Sequence, residues 1–348
     1  MKLRSILLSY ERSFMDATSN ASLRLSKLTT DGLSITAILL NNLEKAGKRE
    51  DGAIRVVGFS GFVLLRLIGG FRALLREIRQ AKRRDEGVVI SAQDPFITGA
   101  VAFLASRITN TPYEVQEHGD FYSGYWVKEV PIFKRIFAWI GCFVLRRADA
   151  VRVVSERIRG HLVTCCNVDA QKMTINPVRQ DLDWHLRQAS RSWSGTPTIV
   201  VPCRYVHQKG IDVLLKALAI LKKEGELFTL RLIGSGPLDL KIRIWIRENG
   251  LSDEVTLEQW ASQESIWNKA DLFVLSSRYE GFGRTITEAM AARVPIVTTN
   301  VGCVGSLLRP QIDGRVVEPD DVQGLAAAIR EQFTEPDRRG WMVRNAYE

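Results

Sequence analysis

RYEGFGRTITEAMAARVPIV occupies residues 278–297. It follows DLFVLS (271–276), a run rich in apolar residues that reads as a strand ending near Ser276, and it passes into a helical pattern beginning near Thr285. The 280–284 loop therefore lies at the carboxyl end of a strand, the edge where open α/β sheets bind ligands. Gly281 and Gly283 let backbone amides approach a ligand closely, and the free N–H groups of the following helix favour an anion such as a diphosphate. Two glutamates stand eight positions apart. Glu288, expected in the first helical turn, offers a carboxylate for a ribose diol, and Glu280 offers one for sugar hydroxyls. Thr285-x-x-Glu288 also matches a capping box, in which the glutamate ties off a backbone N–H.

Outward from this stretch the second half alternates strand and helix: TPTIVV (196–201), a helix over 210–223, FTLRLI (228–233), a helix over 238–248, EVTLE (254–258) and 262–269. PIVTT (295–299), RVV (315–317) and a helix over 321–333 follow the opening motif. The first half repeats the pattern with SITAILL (34–40), AIRVVGF (53–59), GVVIS (87–91), YEVQEH (113–118) and AVRVVS (150–155). Helical spacing fills 62–82, 96–107, 132–147 and 155–164. Strand-then-helix repeats of this length imply parallel sheets with right-handed crossovers. At 348 residues the chain exceeds what one core supports, so two doubly wound domains are expected. They cover 1–180 and 196–348, with a linker over 181–195 where periodicity fades and Ser, Gly and Pro gather. Two such sheets facing across a cleft would hold the ligand between them.

Two further loops of the second half sit at the same kind of edge. CRYVHQKGIDVLLKAL (203–218) places Arg204 and Lys209 after PTIVV, where two cations can converge on a diphosphate, one as a fork and one as a point charge. Gly234-Ser235-Gly236-Pro237 follows FTLRLI; it lacks the third glycine of a dinucleotide fingerprint and is weak grounds for NAD.

Read in order, R-x4-K-G, G-x-G-P, DLFVLSS-x2-EGFG-x4-EAMA and PIV-x3-VG resemble the C-terminal domain of glycosyltransferase family 4, retaining enzymes of GT-B fold with two Rossmann-like domains. The resemblance covers nearly all of 196–334. It implies a nucleotide-sugar donor, transfer with retention at the anomeric carbon, and no metal or other cofactor. By position, Arg204 and Lys209 match the pair on the donor diphosphate, Glu288 the ribose ligand and Glu280 the group facing the donor sugar. Gly234, Phe282, Gly283, Arg284 and Thr285 complete the donor-binding set, and no residue is assigned to a metal. In the first half YEVQEHGDF (113–121) is similar to the family's strand ending in His-Gly, which makes His118 a catalytic candidate. TINPVRQD (174–181) departs from the family by carrying Arg179 in place of an aspartate. The glycine-rich acceptor loop expected after SILLSY is replaced by MDATSNASLRL (15–25), without glycine, and the family's closing helix is not recognisable before the final RNAYE.

The charge is lopsided. Residues 1–180 hold 27 Lys+Arg against 17 Asp+Glu, and 181–348 hold 21 against 22, so the whole excess of the +9 chain lies in its first half. Two stretches there, 62–84 and 133–147, mix apolar and basic residues at helical spacing, as helices on an anionic membrane surface do and as helices packed on a sheet also do. Nucleic acid is not expected, since no nucleic-acid motif is present. Five cysteines form neither a metal pattern nor a disulfide framework, which suggests a reducing cytoplasm. No apolar stretch is long enough to span a membrane or to form a signal-peptide core. The expected function is sugar transfer from a nucleotide diphosphate sugar to a glycan or lipid-linked acceptor, in making a cell-surface polysaccharide or glycolipid, by a cytoplasmic enzyme peripheral to the membrane. The alternative is a non-catalytic or epimerase-type protein of the same fold that binds nucleotide sugars.

Overall fold

The computed structural model describes residues 2–29, 32–42, 46–129, 135–177, 182, 193 and 195–347. Arg179 and most of the expected linker lie outside them. The chain divides into two compact units, Met1–Val154 with Ile158–Asn176, and Ser155–Arg157 with Pro177–Glu348.

The first unit contains β1 (Leu3–Ser9), α1 (Asn20–Ser26), β2 (Leu33–Asn42), β3 (Gly47–Asp51), β4 (Ile54–Phe59) and α2 (Val63–Arg83). Then come β5 (Gly87–Ala92), α3 (Ile97–Thr109), β6 (Tyr113–Glu117), α4 (Gly124–Glu129), α5 (Arg135–Arg147), β7 (Ala150–Val153), α6 (Glu156–Cys166) and β8 (Met173–Ile175). Its sheet runs β3-β4-β2-β1-β5-β6-β7-β8, parallel throughout except for the β3–β4 hairpin. That hairpin escapes sequence reading because β3, GKRED, has no buried residue and so no apolar period. On one face of the sheet Leu7, Ile35, Ala37, Leu39 and Val56 form a core with Phe14 and Leu25. The loop after β1 has no glycine and is shaped by side chains instead. The Glu11 carboxylate accepts from the Ser13 amide at 3.1 Å, Asp16 from the Thr18 amide at 2.9 Å, and the Ser19 hydroxyl caps α1 by accepting from Ser22 N–H at 3.1 Å.

The second unit holds β9 (Thr198–Pro202), α7 (Ile211–Lys223), β10 (Thr229–Ile233), α8 (Asp239–Glu248), β11 (Val255–Glu258) and α9 (Gln263–Trp267). β12 (Leu272–Leu275), α10 (Arg284–Ala291), β13 (Ile296–Thr299), β14 (Arg315–Val317), α11 (Val322–Thr334) and α12 (Pro336–Tyr347) complete it. Every adjacent strand pair is parallel, in the order β11-β10-β9-β12-β13-β14. Alternate residues go to opposite faces: Ile199 and Val201 join the core beneath α7, α8 and α11, while Val200 and Phe273 join the core with Ile266 of α9 and Ile286 of α10. α12, absent from the sequence reading, packs on α10 and α11; Met342 is its buried residue, too little to impose a period on PDRRGWMVRNAY.

The cysteine reading needs correction. Cys142 in the middle of α5 and Cys166 at the end of α6 form a disulfide, while Cys165, Cys203 and Cys303 are free thiols. Twenty-four residues separate the pair, and the fold brings the end of α6 against the middle of α5, which no spacing rule reveals.

Candidate functional site

In the second unit the chain winds from β9 to β10 and β11 on one side, then crosses to β12, β13 and β14 on the other. The order reverses between β9 and β12, where the loops leaving two adjacent strands part and open a crevice at their carboxyl ends. Lys209 leaves β9 and Glu280 leaves β12, so the topology delivers both to this point. They form an ion pair with Lys209 Nζ 2.5 Å from Glu280 Oε1, and the Ser277 hydroxyl donates to the same oxygen at 2.7 Å. Glu280 is buried at 8% exposure and Ser277 completely. An ammonium has three N–H donors, so this pairing leaves two for another acceptor. Arg204 is exposed, and its side chain has no hydrogen bond or ion pair among the described residues, so it is not joined to Lys209 here.

Arg278 is the residue that sequence reasoning missed. A charged side chain beside a glycine turn reads as solvated, yet it is 8% exposed and stitches the crevice walls. Its guanidinium donates to both oxygens of Asp212 at 3.1 and 2.8 Å, to Asp320 Oδ1 at 2.8 Å and to the His207 carbonyl at 2.7 Å. Its backbone N–H donates to the Gln208 carbonyl, and the Gln208 amide donates to the Tyr279 carbonyl, both at 2.8 Å. The turn carrying Lys209 is thereby clipped to the loop carrying Glu280. Desolvation pushes the Asp212 carboxyl up, but the hydrogen bonds and charge of Arg278 together outweigh it and hold the group below its ordinary range.

The glycines have a second use beyond ligand approach. Gly210, in the left-handed region at φ 59°, would with a Cβ stand 2.0 Å from the Ser276 carbonyl, and Gly234 at φ 148° would stand 1.9 Å from the Cys203 carbonyl. Each strand-end loop thus rests on the backbone of its neighbour. Phe282 joins this stack, its carbonyl accepting from the Cys303 N–H at 2.8 Å.

α10 begins at Arg284 with Gly283 as N-cap, at φ 85°, and no side chain caps it. This overturns the capping-box reading: Thr285 sits inside the helix, half-buried, and Glu288 is its fifth residue, one past the first turn. Glu288 is 8% exposed and accepts from Gln263 Nε2 at 3.0 Å, so α9 orients the carboxylate. Arg284 is exposed at the helix start. With Gly283 giving the sharp entry, the first amides of α10 point out of the loop, where an anion is favoured.

His118 belongs to the first unit, directly after β6. Its Nε2 is 3.1 Å from Gln116 Oε1. One side of the residue reaches solvent, but desolvation by the surrounding protein and then the Arg152 guanidinium push its pKa down to about 4, so the imidazole is neutral at pH 7. The preceding Glu117 is fully buried, and desolvation raises its pKa well above the usual carboxylate range. Among the described residues no group of three or more His, Cys, Asp or Glu is placed to hold a metal, and no helix is long and apolar enough to cross a membrane.

Residues 183–348 match the family model described as glycosyl transferases group 1, and residues 28–179 match the glycosyl transferase 4-like domain. The alpha-D-kanosaminyltransferase of Streptomyces kanamyceticus is 29% identical over 308 residues, 83% of this chain and 79% of that protein. The putative colanic acid biosynthesis glycosyltransferase WcaL of Salmonella typhimurium is 24% identical over 263 residues, 73% of this chain and 58% of that one. Among solved structures, HepE of Anabaena in complex with UDP superposes with a TM-score of 0.74 at 19% identity, over 100% of this chain and 94% of that chain. At that identity the likeness shows the fold, which is GT-B.

Proposed function

We infer the reaction from one premise: the chain belongs to glycosyltransferase family 4, the glycosyl transferases group 1 of GT-B fold, and is a glycosyltransferase. We propose that it takes its sugar from a nucleotide diphosphate sugar held by the second unit, passes it with retention to a glycan or lipid-linked acceptor, and uses no metal or other cofactor. The observation that carries this reading is the meeting of Lys209 and Glu280 at the reversal point of the second sheet, beside the uncapped start of α10.

In this scheme the bond between the anomeric carbon and the diphosphate oxygen breaks, and negative charge grows on that oxygen. The two remaining N–H donors of Lys209 and the first amides of α10 stabilise it without reorganising, and the exposed Arg204 guanidinium closes on it when the donor binds. The acceptor hydroxyl attacks from the same face, forms the new bond at the anomeric carbon and gives its proton to the departing diphosphate, so no separate carboxylate base is needed. Glu280, already fixed by Lys209 and Ser277, positions sugar hydroxyls. Glu288, oriented by Gln263, receives the ribose diol. His118 enters as a neutral imidazole, able to donate or accept one hydrogen bond at the reacting sugar. The basic first unit supports an anionic membrane surface as a further partner, on the cytoplasmic face, with no role for nucleic acid.

The test is donor turnover. Lys209→Ala and Glu288→Ala, each with unchanged circular dichroism, should lose transfer by about two to three orders of magnitude, the effect of removing one charge-assisted contact of roughly 3–4 kcal/mol. EDTA should leave the wild-type rate unchanged. Full activity in either variant removes the donor assignment, and a rate abolished by EDTA and restored by a divalent ion removes the metal-free scheme.

A further inference from the structure

Outside the donor crevice, the outer face of α2 is exposed along most of its length. Its N-cap and first two turns are apolar and largely in solvent, apart from Arg66, which donates inward to the Leu40 carbonyl at 3.1 Å: Phe62 is 84% exposed and Leu64 68%, with Val63, Leu65 and Ile68 also exposed. The same face continues toward the C-terminus as arginine. Arg72, Arg76, Arg79 and Arg83, spaced four, three and four, line with Leu75 and Gln80 a groove of about 410 Å³. Among the described residues none of these four arginines has an ion-pair partner. The acid of this helix, Glu77, is turned inward, where Arg4 and Arg55 hold it at 3.1 and 2.9 Å, so it does not neutralise the outer row. The face is apolar at one end and cationic along the rest.

Topology fixes where the apolar end lies. α2 leaves the carboxyl end of β4, which runs parallel to its sheet neighbour β2, so Phe62 to Ile68 stand at the sheet edge that also carries His118 after β6. α5 runs into the amino end of β7, so its start stands at that same edge, and after Arg135 it too exposes apolar side chains, Ile136, Phe137 and, at 65%, Trp139. α2 and α5 both pack on α3. Two apolar helix starts therefore flank α3 on one layer and one edge of the first unit.

We propose that this layer seats the first unit on an anionic phospholipid bilayer. The starts of α2 and α5 enter the acyl boundary, the arginine row of α2 lies on the headgroups, and the His118 edge is turned toward the lipid. A nucleic acid would satisfy the arginines but leave both apolar starts in water, whereas a bilayer satisfies both. The acceptor that this orientation presents to the sugar transfer proposed above is a lipid-linked one, and that part alone rests on the transfer reading.

The experiment is sedimentation of the full chain, without donor, with vesicles of equimolar phosphatidylglycerol and phosphatidylcholine against vesicles of phosphatidylcholine alone. Binding should be at least tenfold stronger to the anionic vesicles and weaken in 0.5 M salt. Each arginine is worth about fivefold near an anionic surface, so R72Q/R76Q/R79Q/R83Q should lose two orders of magnitude or more. F62S/L64S should weaken binding while keeping the salt dependence. Turnover of the donor with a water-soluble acceptor should be unchanged in both variants, which separates this proposal from the donor assignment. Equal binding to the two vesicle types, or full binding by the quadruple variant, overturns it. So does a duplex DNA or RNA that binds through the four arginines and is not displaced by anionic vesicles.

Discussion

Replacing Arg278 by Met keeps the length and most of the volume of the side chain and removes every donor. Three acceptors then lose the Arg278 contact: the Asp212 carboxylate, the Asp320 carboxylate and the His207 carbonyl, which keeps the Gly210 N–H at 3.1 Å. Breaking a fully buried ion pair costs about 3–5 kcal/mol. Here the Asp212 side chain is 22% exposed and that of Asp320 44%, so water compensates in part and a cost of about 2–3 kcal/mol is expected. For a unit of this size that lowers the unfolding midpoint by roughly 5–10 °C. The sign with pH follows from Asp212, whose carboxyl is held below its unfolded value. The clip contributes fully above the unfolded pKa of about 4 and is lost as pH falls through the lowered folded value, so the two unfolding curves should converge in acid. In function, the turn bearing Lys209 loses the contact through the His207 carbonyl. Binding of a nucleoside diphosphate should weaken about tenfold while binding of the bare nucleoside is unmoved, and Arg278→Lys should recover part of both losses. Scanning calorimetry from pH 3 to 8 with titration of the two ligands measures this. A midpoint within 2 °C of wild type together with unchanged diphosphate affinity would refute the clip.

Three further outcomes follow from the same geometry. Gly210→Ala places a Cβ 2.0 Å from the Ser276 carbonyl in a left-handed backbone, and should destabilise by about 2–4 kcal/mol, whereas Gly225→Ala, also left-handed at φ 86° but with nothing within 4 Å, should cost about 1 kcal/mol; equal losses in urea melts would show that the loop stacking is irrelevant. Native alkylation of the unreduced chain should label Cys165 alone and denatured alkylation three thiols, because Cys203 and Cys303 are buried with thiols pushed up to about 12 and Cys142 is bonded to Cys166; five labels by mass spectrometry contradict the disulfide. Gln263→Ala removes the Gln263 hydrogen bond to the Glu288 carboxylate and should raise the donor KM about three- to tenfold with little change in kcat; a pure kcat effect would place Gln263 elsewhere in the reaction.

Much of this architecture was legible because its signals are local. Each strand of the second unit is a short apolar run followed by a helical period, and the loops that matter carry glycines and charges at the strand ends, so the edge bearing Lys209, Glu280 and Glu288 could be located by counting. What the sequence does not carry is pairing across distance. Lys209 and Glu280 are 71 residues apart and meet because β9 and β12 are neighbours at the reversal of the sheet. Gln263 reaches Glu288 from another helix across 25 residues. Arg278 looked like any loop arginine, because its burial comes from Asp212 and Asp320, on segments 66 and 42 residues away. Thr285 and Glu288 had the spacing of a capping box, but the left-handed Gly283 is the N-cap, two residues before Thr285, and leaves both inside the helix. Local chemistry sets the elements, and the sheet order decides which of their ends touch.

The central claim is that the second unit's carboxyl edge holds a nucleotide diphosphate sugar for transfer. The purified chain, incubated with a panel of nucleotide sugars and a lipid-linked acceptor pool, should release nucleoside diphosphate in equal amount to the glycosylated product from at least one donor. The product should keep the donor's anomeric configuration by NMR, and Lys209→Ala and Glu288→Ala should release neither. Release by either variant at the wild-type rate, or a product of inverted configuration, would contradict the account.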